Sequence, residues 1–117
     1  MKIKLLGATL EMEVEELTNP DIAKKYEDGI AKAMKEIAEA EQETAGSEGI
    51  RKQCQAVIDT FEEIFGEEDT RKVLGEKTNL FRCMDAFDEY VDLYPKLVVP
   101  ALEKRAEKYS RARINGR

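Results

Sequence analysis

Six apolar side chains, Leu80, Met84, Phe87, Val91, Tyr94 and Val98, follow one another at intervals of 4, 3, 4, 3 and 4 residues. That alternation returns a side chain to the same stripe of an α-helix turn after turn, and a strand of period two cannot reproduce it. A stripe of this length has to be buried against another element, so the chain is expected to be mainly helical and packed. Thr78 or Asn79 offers an N-cap oxygen. Pro95 and Pro100 lack the amide donor and are expected to bend or break this long final helix.

Upstream, Asn19-Pro20-Asp21 is a strong helix start. Asn19 can accept from exposed amides, Pro20 fits the first helical position, and Asp21 complements the positive end of the helix dipole. The helix is expected to run to about Glu43 with Ile22, Tyr26, Ile30, Ala33, Met34, Ile37 and Ala40 on its apolar side, and Gly46 and Gly49 are expected to break the pattern. A second helix is expected from about Glu48 to Phe65, with Cys54, Val57, Ile58, Phe61, Ile64 and Phe65 as its stripe and Gly66 as its stop. A short third helix, Glu67 to Leu74, closes at Gly75. Residues 1–17 differ: Ile3 and Leu5 alternate with lysines, and Leu10, Met12 and Val14 alternate with glutamates, on either side of Leu6-Gly7-Ala8. Period two flanking a glycine reads as a short hairpin, which must lie on the helices or extend another sheet.

The expected fold is therefore mainly α with a small β part: an N-terminal hairpin at 1–17, then a bundle of about four helices, the last long and proline-interrupted. One domain is expected over residues 1–110, followed by a flexible basic tail at 111–117.

Charge is unevenly placed. The net charge is −6, yet residues 96–117 hold seven Lys/Arg against Glu103 and Glu107, so the rest of the chain is far more acidic than the total suggests. An acidic body repels phosphate, which argues against a general nucleic-acid binder. No signal-peptide arrangement opens the sequence and no run approaches a membrane span, so secretion and membrane insertion are not expected.

The sequence contains no histidine, which removes the commonest general acid/base and the commonest metal ligand. Asp85, Asp88, Glu89 and Asp92 share one side of the final helix, but without Glu-x-x-His they read as a solvated face. Asp69 and Glu76 fall at a helix start and a turn, in a stretch without the carboxylate ladder of a calcium loop. Cys54 and Cys83 have no histidine partner and no metal or redox spacing, and read as covered, inert thiols. The glycines make no phosphate cradle, and Phe65, Phe81 and Phe87 are read as core-directed. No catalytic, cofactor or metal residue emerges, and an enzyme is not the expected reading. The candidate partner-binding residues are Lys104, Arg105, Lys108, Tyr109, Arg111 and Arg113, which follow at helical spacing. They suit an acidic protein partner or the acidic body of a neighbouring copy. The exposed edge of the hairpin offers a second contact, by strand addition.

The stretch from Ala56 to Val99 resembles small tail assembly chaperones of long-tailed phages and prophages of Gram-positive bacteria. The matching features are Phe61, Phe65 and Gly66, then Val73, Leu74 and Gly75, then Asn79, Phe87 and Val91, together with the strand-like start followed by "ELTNPDIAKKYED". The resemblance implies a non-catalytic protein of the host cytoplasm, absent from the mature virion. Such a protein would hold the long tape-measure protein soluble, help recruit tail-tube subunits and self-associate. A phage connector component and a small helical regulatory adaptor are the rival readings.

Overall fold

The structure is a computed structural model that describes residues 1–42 and 46–115, the side chains of 112–115 excepted. It is mainly helical with an N-terminal two-stranded antiparallel hairpin, as the patterning implied. Strands β1 (Lys2–Leu5) and β2 (Ala8–Glu13) are joined by Leu6 and Gly7, both at positive φ (48° and 83°), the hand that a two-residue hairpin turn requires. A register shift between Lys2 and Lys4 gives β2 extra residues. Lys2 pairs with Glu13 at 3.5 Å and Glu11 at 3.8 Å, exposed contacts that contribute little. The inward face, Ile3, Leu5 and Leu10, is buried.

Two carboxylates clamp this hairpin to the helices. Asp69, itself buried, accepts the Glu11 amide at 2.9 Å, and Glu89 accepts the Leu6 amide at 2.9 Å. A 3-10 turn (Val14–Thr18) then leads into α1 (Pro20–Ala40), whose N-cap Asn19 accepts from the Asp21 and Ile22 amides as its sequence implied. The helix closes at Ala40 with Glu41 as C-cap, and the expected end at Glu43 lies outside the described residues.

Helix α2 (Gly46–Leu74) corrects one expectation and bears out another. It contains Gly49, buried inside the helix rather than breaking it, because packing outweighs a propensity cost of about 1 kcal/mol. The segment expected to be a separate short helix follows in the same run, set off from the first part by a kink at the expected stop, Gly66. Gly66 adopts φ 86° and ψ 167°, a region essentially reserved for glycine, and the helix resumes at once. The Thr70 hydroxyl donates to the Gly66 carbonyl at 2.7 Å, closing the first turn after the kink. The third helical run comprises α3 (Leu80–Val91), a π-turn (Tyr94–Val98) and α4 (Val99–Asn115). Among the described residues there are thus three helical runs, not about four. Arg111 to Asn115, placed in a tail from the sequence, belong to α4, while Gly116 and Arg117 lie outside the described residues.

Helices α1, α2 and α3 pack together and the hairpin lies on α2 and α3. Their shared core is aromatic: Tyr90, fully buried, meets Tyr26 at 4.7 Å, Phe61 at 5.1 Å, Phe65 at 5.8 Å and Phe87 at 6.3 Å between ring centroids. The stripe expected on the final helix is partly displaced, since of its members only Phe87 and Val98 are buried. Cys83, Ala86, Tyr90 and Leu93 are the deeply buried line, while Leu80, Met84 and Val91 flank it half-buried. Phe81, read as core-directed, is 83 % exposed.

The π-turn has a simple cause. Pro95 has no amide to give the Val91 carbonyl, its helical acceptor four residues back. The Tyr26 hydroxyl from α1 fills the gap, lying 3.0 Å from the Val91 carbonyl oxygen and 2.5 Å from that of Tyr90. The Tyr94 hydroxyl donates in turn to the Leu17 carbonyl and ties the turn to the 3-10 segment.

Candidate protein-binding helix

Beyond the π-turn, α4 leaves the body. Val98 is the last buried residue of the run, and every described side chain from Val99 to Arg111 is exposed. The helix is amphipathic all the same. Val99, Leu102, Ala106 and Tyr109 recur at 3, 4 and 3 and share one side, whereas Lys104, Lys108 and Arg111 share another. Leu102 is 50 % exposed and Tyr109 62 %, an apolar line that nothing in the described chain covers. At its base the line opens into a groove of about 300 Å³ between the 3-10 turn and α4, lined by Val14, Thr18, Val98, Ala101 and Leu102 with Glu15 and Arg105 at its charged edges.

Of the candidate partner-binding residues, Lys104, Arg105, Lys108, Tyr109 and Arg111 all stand exposed on this helix. Arg113 belongs to it as well, but its side chain lies outside the described residues. Arg111 is engaged by Glu107 of its own helix at 2.7 Å. The basic residues and Tyr109 are not all one surface: Lys104, Lys108 and Arg111 share the side away from the apolar line, whereas Arg105 stands one turn from Tyr109 and lines the groove beside Leu102. Val99 and Leu102 were missed in reading the sequence, although their 3–4–3 spacing with Ala106 and Tyr109 was there to be read.

The acidic residues divide. Asp69 and Glu89 are the hairpin clamps, and Asp69 also pairs with Lys72 at 3.2 Å. Asp92 pairs with Lys96 at 3.1 Å, and Asp85 and Asp88 are exposed. Among the described residues no group of three acidic, cysteine or histidine side chains could hold a metal ion. No described helix is long and apolar enough to cross a membrane.

The two cysteines, 29 positions apart, meet across α2 and α3. Burial first, and then the hydrogen bond to Cys83, push the Cys54 thiol up to about 11, which keeps it protonated and unreactive near neutral pH. Burial likewise raises Tyr26 to about 12, and raises Tyr90 and Tyr94. The Tyr90 hydroxyl is buried without a hydrogen-bond partner.

Fold and surface together define a class of protein: a helical body faced by a hairpin, from which an amphipathic basic helix projects. The chain belongs to the family of unknown function DUF6673, which matches it over residues 7–117. No curated protein and no solved structure matches it.

Proposed function

We propose that this protein works by binding other proteins through α4, as a non-catalytic assembly chaperone of the phage-tail type. The free helix supports this reading: its line of Val99, Leu102, Ala106 and Tyr109 is the kind of seam by which one helix receives another. The client of that seam is a long helical protein, of which the tape-measure protein is the proposed example, with tail-tube subunits recruited in turn. The similarity of Ala56–Val99 to tail assembly chaperones supplies the phage context, a site of action in the host cytoplasm and absence from the finished particle.

Co-expression with the tape-measure protein of the neighbouring genes tests this. A complex is expected on co-purification, and Leu102→Asp with Tyr109→Asp should abolish it while leaving the circular dichroism spectrum of the body intact. Failure to bind across a range of salt would remove the chaperone reading. Recovery of the protein in purified particles would favour a connector component instead.

A further inference from the structure

We propose that the basic side of α4 docks in the acidic cleft between α1 and α2 of a second copy of this chain, each protomer covering the other's helix. This uses the Lys104, Lys108 and Arg111 side of α4, and leaves the apolar line that the proposed client would take.

The cleft is the first half of the inference. It has a volume of about 240 Å³, and its rims are Lys25, Asp28, Lys32 and Glu36 on α1 and Asp59 and Glu63 on α2. Acids outnumber bases there, and some are already engaged. Asp28 pairs with Lys24 at 3.0 Å, Glu36 with Lys32 at 3.9 Å, and Asp59 accepts from the Gln55 amide at 2.7 Å. Glu63, among the described residues, has neither a hydrogen bond nor an ion pair.

Gly29 and Thr60 line the cleft where the helices come closest. A carbon placed on Gly29 would stand 3.2 Å from the Thr60 methyl and 3.9 Å from the Tyr90 hydroxyl oxygen. The one buried polar side-chain atom left without a partner among the described residues thus lies behind Gly29 in the floor of an acid-lined groove. A groove with four carboxylates against two lysines, Glu63 unpaired among them, fits an ammonium or guanidinium group on a long side chain.

The second half is the source of that cation. Residues 96–117 are basic on a chain whose net charge is −6, so two copies attract through unlike ends and repel through like ones. Pairing α4 with α4, or body with body, sets like charges together. Pairing α4 with the cleft is the arrangement the charge pattern favours. A helix of 17 residues with every described side chain exposed is also only marginally stable in water, and docking supplies further contacts.

Charge exchange tests this on the full-length chain. By sedimentation equilibrium at low salt the wild type should dimerise reversibly, and the dimer should weaken as salt rises. Lys104→Glu with Lys108→Glu, and separately Asp59→Lys with Glu63→Lys, should each weaken self-association by about tenfold or more. An equimolar mixture of the two variants should dimerise again, because the heterodimer joins one wild-type contact to one with both signs exchanged. A wild type monomeric at low salt, variants that dimerise like the wild type, or a mixture that stays monomeric would each overturn the proposal. If a reversed variant fails to fold, Lys104→Gln/Lys108→Gln and Asp59→Asn/Glu63→Gln should both show the weakening, and unchanged dimerisation in them overturns it equally.

Discussion

Tyr26 shows how one atom can decide the course of a helix. Its ring fills the aromatic core against Tyr90 and Tyr94, and its hydroxyl meets the carbonyls of Tyr90 and Val91 at the end of α3. The Val91 carbonyl needs this donor because Pro95 has no amide to offer. Tyr26→Phe keeps the ring and removes the donor, and should cost about 1–3 kcal/mol of stability, the penalty of an unsatisfied buried acceptor. In a Pro95→Ala background an amide becomes available, so the same change should cost measurably less. Urea denaturation of the four proteins of this cycle reads the coupling, and strict additivity would show that Tyr26 is not compensating for the proline.

At the scale of elements, contact rather than propensity explains where the helices meet. Gly29 lies mid-helix in α1, where replacing glycine by alanine ordinarily stabilises by about 0.5–1 kcal/mol. Here the new carbon would stand 3.2 Å from the Thr60 methyl on α2, closer than packing tolerates without a shift. Gly29→Ala should therefore gain nothing or destabilise. Gly29→Ala combined with Thr60→Ser, which deletes the methyl but keeps the hydroxyl that donates to Ala56, should recover the helical gain. Thermal melting of the single and double variants checks it, and a stabilised single variant would show that the helices can part without cost.

The final helix teaches a related lesson. Two stripes interleave in its sequence, Leu80–Met84–Phe87–Val91 and Cys83–Ala86–Tyr90–Leu93, and both have helical spacing. The first is the more apolar, yet only its Phe87 is buried, whereas every member of the second is. Facing aromatic rings from α1 and α2 leave room for the small Cys83 and Ala86 and a flat Tyr90, a condition periodicity does not register.

For the molecule as a whole, shape is the telling quantity. The radius of gyration is 17.2 Å, whereas a compact chain of similar length would have roughly 13 Å. The extents of 67 × 26 × 21 Å describe an elongated body with a helix beyond it. Its buried phenols and the Cys54 thiol add a dependence on pH. Cys54 rises to about 11 and Tyr26 to about 12, with Tyr90 and Tyr94 also raised, burial being the largest cause in each case. These groups are neutral in the folded protein and ionise sooner once unfolded. Their contribution is therefore complete below the unfolded values, which begin at 9.0 for the thiol, and is lost as pH climbs through the folded ones. The urea midpoint should hold steady up to about pH 9 and fall between about pH 9 and 12; a flat midpoint across that range would contradict the burial of these groups.

The amino-acid sequence by itself determined the elements. Asn19-Pro20-Asp21 starts a helix, the alternation around Leu6-Gly7 makes a hairpin, and Pro95 disturbs the last run, because capping, pleat and missing amides act within a few residues of their cause. Pro100, expected to do the same, sits inside α4, which continues through it. The uneven charge and the candidates Lys104, Arg105, Lys108, Tyr109 and Arg111 were legible for the same reason. Tertiary structure decided what those local signals leave open: that Asp69 and Glu89 hold the hairpin, that Cys54 lies against Cys83, that Tyr90 and not Met84 is buried, and that α4 stands uncovered. Each of these depends on residues far apart in the chain arriving at the same place, and helical spacing fixes the direction of a side chain without naming what it will meet.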